Sequence, residues 1–357
     1  MKLFAFYLPQ FHEIPENNEW WGDGFTEWTS IKSAVPLYPG HLIRHPLNGN
    51  YYNLLDKKTV EWQTRLMHSY HVDGMIYYHY YFKGKKLLEK PAENLLQWED
   101  IDQPFFFCWA NHNWYRSYQG SKELLIRQTY GIEEDWEQHF NYLLPFFKDP
   151  RYEKKDNKPM FMIFHPDFEE KSHIFDFFEK KCIENGFNGI YLIESYYVKE
   201  KWPGDYLSFK ENLSGQTEKV FFREKNVSYR ICRNSGRQIE TTVLNAGDKK
   251  HVEVIDGNLL QKVIREEEPK EKDIIHGVFA GWDSTLRHGY WGNVITPPTK
   301  ENFIKTMDYL ADEEYVFYNA WNEWAEGMAL EPSEEEGYKY LEWIKEWKEK
   351  TYICSEQ

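Results

Sequence analysis

The chain has 357 residues, of which 28% are charged and 41% hydrophobic, an ordinary folding composition with room for one large barrel or two average domains. Its formal net charge of −15 argues against a nucleic-acid binder, which would carry a basic face. No run approaches the roughly 20 apolar residues of a membrane span, and the four cysteines are scattered without paired or metal-type spacing, so a reduced, cytoplasmic setting is expected, with no metal and no cofactor.

Taken in chain order, short apolar runs alternate with helical patterns. KLFAFYL (2–8) reads as a buried strand that ends at Pro9, too short for a signal-peptide core. Residues 56–72 read as a helix capped by Asp56, and 74–82 as a second strand. A helix over 84–98, interrupted at Pro91, leads to a third strand over 104–111. Residues 131–149 form an amphipathic helix with acids in its first turn, where the helix dipole favours them. Strand 158–165, helix 173–186 and strand 189–196 follow. The rhythm then breaks, and residues from about 200 to 250 alternate with turn signals, as a small β insertion would. A sixth strand (251–256), a helix (258–268), a seventh strand within 276–287, a Thr-capped helix (299–313), an eighth strand (314–321) and a last helix (335–350) complete the pattern.

Strands alternating with helices imply parallel pairing through helical crossovers. Eight such units predict a closed (β/α)8 TIM barrel, one domain over 1–357 with the insertion between strands 5 and 6. No glycine-rich phosphate fingerprint follows any strand, which argues against a nucleotide-binding open sheet. In such a barrel the reactive groups sit just past the C-terminal ends of the strands. That rule selects Tyr7 after the first strand, His79 and Tyr80 after the second, and Trp109, Asn111, His112 and Trp114 after the third. It selects Trp282 and Asp283 after the seventh, and Asn322, Glu323 and Glu326 after the eighth.

Aromatic residues make up 18% of the chain. Flat aromatic faces suit the apolar faces of sugar rings, but they also fill large cores. Glu323 and Glu326 lie three apart among tryptophans in NAWNEWAEGMALEP (319–332). In a continuing strand, residues three apart face opposite sides. A turn at Gly327 would instead bring both carboxylates into one cleft. Paired carboxylates are what glycosidic cleavage uses, and apolar neighbours can keep one of them protonated.

FYLPQFHEIPENNEWWGDGFTEW (6–28, with Glu27 and Trp28), PLYPGH (36–41), YYHYYFKGKKLLEKP (77–91), FFFCWANHNWYR (105–116), GVFAGWDSTLR (277–287) and NAWNEWAEGMALEP together resemble the WbsX-type family, glycoside hydrolase family 99-like proteins related to the endo-α-mannosidases. The likeness spans most of the chain apart from the insertion. It implies a (β/α)8 barrel and retaining cleavage of an α-linked bacterial surface polysaccharide, acting within the chain. Glu323 would serve as base on the sugar 2-hydroxyl, which attacks its own anomeric carbon, and Glu326 as acid and then base. The resemblance makes Tyr7, Glu27, Trp28, His79, Tyr80, Trp109, Asn111, His112, Trp114, Trp282, Asp283 and Asn322 candidates for substrate contact. One departure stands out. The family usually reads A-N-E-N-W after the third strand, and here His112 replaces the acid. Two other functions fit the family: a glycosyltransferase or transglycosylase of surface-polysaccharide (O-antigen or capsule) biosynthesis, and an inactive glycan-binding protein. The expected partner in each case is an oligosaccharide or polysaccharide.

Overall fold

The computed structural model describes residues 1–116, 123–195, 215–217, 224–225, 241–245, 251–267 and 275–355. Most of the expected insertion at 200–250 lies outside them. The apolar runs become strands, most of them buried on both faces, as parallel sheets covered by helices require. They are β1 (Lys2–Tyr7), β2 (Gly74–Phe82), β3 (Phe105–Trp109), β4 (Lys158–Ile163), β5 (Tyr191–Glu194), β6 (His251–Ile255), β7 (His276–Phe279) and β8 (Tyr315–Asn319). Seven of these form one sheet in the order β7-β8-β1-β2-β3-β4-β5, each neighbour parallel to the next.

The sheet is strongly rolled. β8 and β3 are three places apart, roughly 14 Å in a flat sheet, yet Phe106 and Phe317 meet with ring centroids 5.7 Å apart. Phe4 meets Phe106 at 5.4 Å and Phe6 stacks on Tyr78 at 5.5 Å, so these rings fill the concave side. Gly74 permits the close approach of β1 and β3 to β2, because a Cβ there would fall 2.3 Å from Phe4 Cε1 and 2.8 Å from the Pro104 carbonyl.

Ring closure is not seen among the described residues. β6 pairs instead with Thr241–Asn245 (antiparallel) and with Asn293–Ile295 (parallel), and Asn293–Ile295 also pairs with Trp282–Asp283. The architecture is therefore an α/β fold with a curled, mostly parallel sheet and a smaller mixed sheet beside it.

Among the described residues the helices are α1 (Pro15–Trp21), α2 (Glu27–Ser33), α3 (Lys57–Ser69), α4 (Lys90–Gln97), α5 (Glu133–Lys148), α6 (Lys171–Glu184), α7 (Gly257–Glu267), α8 (Thr285–His288), α9 (Lys300–Tyr309) and α10 (Lys339–Ser355). Asp56 caps α3 by accepting from Lys58 N–H at 3.0 Å, and Thr299 caps α9 through Asn302 N–H. The expected helix over 84–98 is corrected. Lys85–Leu87 forms a hairpin with β2, and α4 begins only at Lys90. Pro91 starts that helix rather than interrupting it, because a first-turn N–H has no partner to lose. The strand expected within 276–287 is β7, at the start of that stretch. Gly281 turns it at φ +108°, and α8 begins at Thr285. Among the described residues no helix is long and apolar enough to cross a membrane.

Candidate functional site

β8 stops at Asn319, and the chain then makes one 3-10 turn over Trp324–Glu326. Residues three apart eclipse in a 3-10 turn, unlike in a strand. Glu323 and Glu326 therefore lie on the same side. The turn is closed by Glu326 N–H to the Glu323 carbonyl at 3.2 Å, and Met328 N–H bonds that same carbonyl at 3.1 Å. Gly327 follows in the left-handed region at φ 62°. Only glycine fits there, since a Cβ would lie 2.8 Å from Asp283 Cβ.

Both acids converge on one guanidinium. Arg287 of α8 places Nη2 3.3 Å from Glu323 Oε2 and Nη1 in contact with Glu326 Oε1. The same Nη2 is 3.2 Å from Glu27 Oε2 at the start of α2. Trp282 Nε1 donates to Glu326 Oε2 at 2.9 Å. Glu323 and Glu326 are buried, at 5% and 8% exposed, and Arg287, whose side chain is 21% exposed, is the more accessible partner. Buried carboxylates need such partners, because an unpaired ion is too costly to remove from water. Tyr80 on the concave side of β2 faces the same group: burial first, and then the charge of Glu323, hold its phenol well above the usual tyrosine range.

The remaining sequence-selected residues divide. Trp114 packs edge-on against Tyr80 at 5.0 Å and against Trp20 at 5.7 Å, forming an aromatic wall beside the cluster. Asp283 accepts from Thr285 N–H and hydroxyl and from His41 Nε2 at 2.7 Å. Leu37 N–H donates to His41 Nδ1, which puts the imidazole proton on Nε2. A cavity of about 120 Å³ lies between Tyr38, His41, Asp283 and Trp282. His112 packs against Phe164 and His165.

Six candidates are placed elsewhere, and strand parity or internal bonding explains each. Tyr7, His79 and Trp109 alternate with the concave-side rings and so face the helices. Tyr7 donates to Gln63 of α3 at 2.7 Å. His79 Nε2 meets His139 Nε2 of α5 at 2.9 Å, and Trp109 stands edge-on to His139 at 4.9 Å. Burial pushes the His79 imidazole down to about 3 and holds His139 well below its ordinary value. Trp28 donates to the Tyr52 carbonyl at 2.7 Å and packs on Phe11 and Trp324. The Asn111 amide clamps the His165 backbone in both directions (2.6 and 2.7 Å), and the Asn322 amide does the same to Leu8 (2.7 and 3.0 Å). These two asparagines lock loops to one another. Arg287 was missed by the sequence reading. The signal available for it was its place at the end of the stretch GVFAGWDSTLR (277–287).

Among the described residues no group of three or more His, Cys, Asp or Glu side chains is arranged to hold a metal ion. Cys108 and Cys182 are buried, and neither is in a disulfide among the described residues.

The fold has solved counterparts. The GH99 endo-alpha-mannosidase from Bacteroides thetaiotaomicron superposes with a TM-score of 0.52 at 12% identity, covering 99% of this chain and 98% of that one. A structure described as a glycoside hydrolase-like protein gives 0.56 at 13% identity, covering 97% and 93%. The WxcX protein of Xanthomonas campestris pv. campestris, described as uncharacterized, is 30% identical over 360 residues, which is 95% of this chain and 48% of that protein. The chain thus spans about half the length of the curated relatives it matches. The model of the family described as Glycosyltransferase WbsX matches residues 3–344, so the chain belongs to the WbsX family.

Proposed function

We propose that the chain is a glycoside hydrolase that cleaves an α-linked bacterial surface polysaccharide within the chain, with retention of configuration. The observation that carries this reading is the convergence of Glu323 and Glu326, from one turn past β8, on a single guanidinium beside Tyr80 and Trp282. Glu323 takes a proton from the sugar 2-hydroxyl, and that oxygen attacks the anomeric carbon while Glu326 protonates the departing oxygen. Water then opens the anhydro-sugar, with Glu326 as base and the 2-hydroxyl regaining its proton. The neighbouring hydroxyl is already held beside the anomeric carbon, so no protein nucleophile is needed. Glu27, Tyr80, Trp114, Trp282, Asp283 and His112 line the approach. On this reading the chain is one domain, a (β/α)8 barrel built around the rolled sheet.

The test is a panel of bacterial polysaccharides scored for new reducing ends. The parent protein should release them. Glu326→Gln should slow release by about 10²–10⁴-fold, the usual contribution of general acid catalysis. Equal rates for the two proteins overturn the assignment. The second reading is glycosyl transfer, favoured by the family's description. Binding of a sugar nucleotide in calorimetry, with no reducing ends released, would select it. Glycan binding without turnover, unchanged in Glu326→Gln, would mark an inactive binder.

A further inference from the structure

We propose that Glu331 is the positioning residue that sets the aim of the turn bearing Glu323 and Glu326. Its carboxylate is wholly buried, behind that turn. Oε1 accepts from Gln63 Nε2 at 2.7 Å and from Trp321 Nε1 at 2.8 Å. Oε2 accepts from the Tyr52 hydroxyl and from Trp324 Nε1, both at 2.8 Å. A carboxylate offers about four acceptor sites, and four donors fill them.

The placement of those donors carries the inference. Trp321 and Trp324 bracket Glu323 in the chain, and Trp324 opens the 3-10 turn that ends on Glu326. Both indoles hang from one carboxylate, and that carboxylate is moored to α3 by Gln63 and to the 50–54 segment by Tyr52. The backbone closes the loop on itself in the same place, with Leu330 N–H bonded to the Ala320 carbonyl at 2.9 Å and Glu331 N–H to the Trp321 carbonyl at 3.1 Å. Arg44 lies over the Trp324 ring at 5.7 Å. A core that only needed filling would use apolar side chains here. Four converging N–H and O–H donors instead specify a fourfold acceptor at one point, and so fix the turn in rotation as well as depth. On the far side of the turn, Trp282 Nε1 reads its position through Glu326.

The placement rests on geometry alone, and its consequence for turnover rests on the hydrolytic reading above. The experiment is indole N–H spectroscopy of protein labelled with ¹⁵N-tryptophan, assigned by single Trp→Phe replacement at 282, 321 and 324. In Glu331→Gln, the Trp321 and Trp324 signals should lose the downfield shift given by a carboxylate acceptor, and the Trp282 signal should move with them. If Trp321 and Trp324 shift and Trp282 does not, Glu331 is a local anchor and the proposal is wrong. If none shifts, the bonds themselves are wrong. Tyr52→Phe removes one donor while keeping the ring, and should give the same pattern, smaller, should the glutamine variant fail to fold. With a polysaccharide found by the reducing-end panel, Glu331→Gln should lower kcat about 10²-fold with KM near the parental value, as a displacement of about 1 Å at the reacting groups would. A rise in KM with kcat intact overturns the positioning role. The spectra stand whether or not the chain proves to be a hydrolase, so the two failures are separable.

Discussion

Gly327→Ala tests the turn on which the site depends. Two costs are expected. Gly327 sits at φ 62°, and an L-residue in the left-handed region costs about 1–2 kcal/mol. The new Cβ would also lie 2.8 Å from Asp283 Cβ and 3.2 Å from Asp283 N, which forces a backbone shift of the overpacking kind, about 1–3 kcal/mol. Gly337 provides an internal control, because its φ of 58° is nearly the same and a Cβ added there would meet nothing within 4 Å. Gly337→Ala should therefore show the first cost alone. With 357 residues, 1 kcal/mol corresponds to roughly 1.3 °C in Tm. Scanning calorimetry should give a drop of about 1–3 °C for Gly337→Ala and about 3–7 °C for Gly327→Ala. Equal drops would refute the close packing of the turn on Asp283. Reducing-end release should fall only in Gly327→Ala, because Asp283 adjoins Trp282, the donor to Glu326.

Arg287→Met removes the guanidinium shared by the acids and should move both limbs of the pH profile of kcat/KM to higher pH, by about 1–3 pH units for charges at this range; limbs that stay in place would show that Arg287 does not set the charge of either acid. His79 and His139 are buried as neutral imidazoles, with folded values held below the ordinary 6.5 chiefly by burial. The unfolded chain takes up their protons first, so stability is full above about 6.5 and declines as the pH falls, by about 1.4 kcal/mol per pH unit for each. Between pH 6.5 and 5, the double variant His79→Leu/His139→Leu should lose roughly 3 kcal/mol less unfolding free energy, measured in urea, than the parent. An unchanged slope would mean that the pair does not stay neutral.

The strands were legible because burial on both faces leaves an unbroken apolar run, as in KLFAFY and FFFCW, and such runs are hard to confuse with a solvated helix. Parity along them was not legible. Phe6 and Tyr7 look equally buried in sequence, yet one fills the concave side and the other meets Gln63. The same ambiguity placed His79 and Trp109 at a cleft they do not reach. Asn111 and Asn322 were selected as polar groups at strand ends, and a string of residues cannot show that backbone groups of distant loops already occupy both ends of each amide. Asn293–Ile295, three residues long, carries no periodic signal, although it supplies the partner of β6. Glu323 and Glu326 were conspicuous as acids among tryptophans. Glu331 stands in the same stretch and was passed over, because its importance comes from converging donors that cannot be located until the chain is folded.

The layout also constrains how the two acids can divide the work. A guanidinium favours the ionised form of any carboxylate it touches, and Arg287 touches both. The roles assigned to them need one carboxyl to hold a proton when the glycosidic oxygen arrives. On the proposed roles Arg287 would leave Glu326 as the sugar enters, and Glu27 and Glu323, both at the same Nη2, are the acids placed to retain it. Trp282 stays on Glu326 through an N–H that accepts nothing, so it can orient the carboxyl without competing for the proton carried on the other oxygen. The resting cluster is on this view a latch: three acids share one cation until a neutral ring separates them, and the acid left with an indole rather than a guanidinium becomes the donor. The shift in the Arg287→Met profile measures that latch directly, since a variant without the cation should already hold in solution the proton that the parent acquires only with substrate bound.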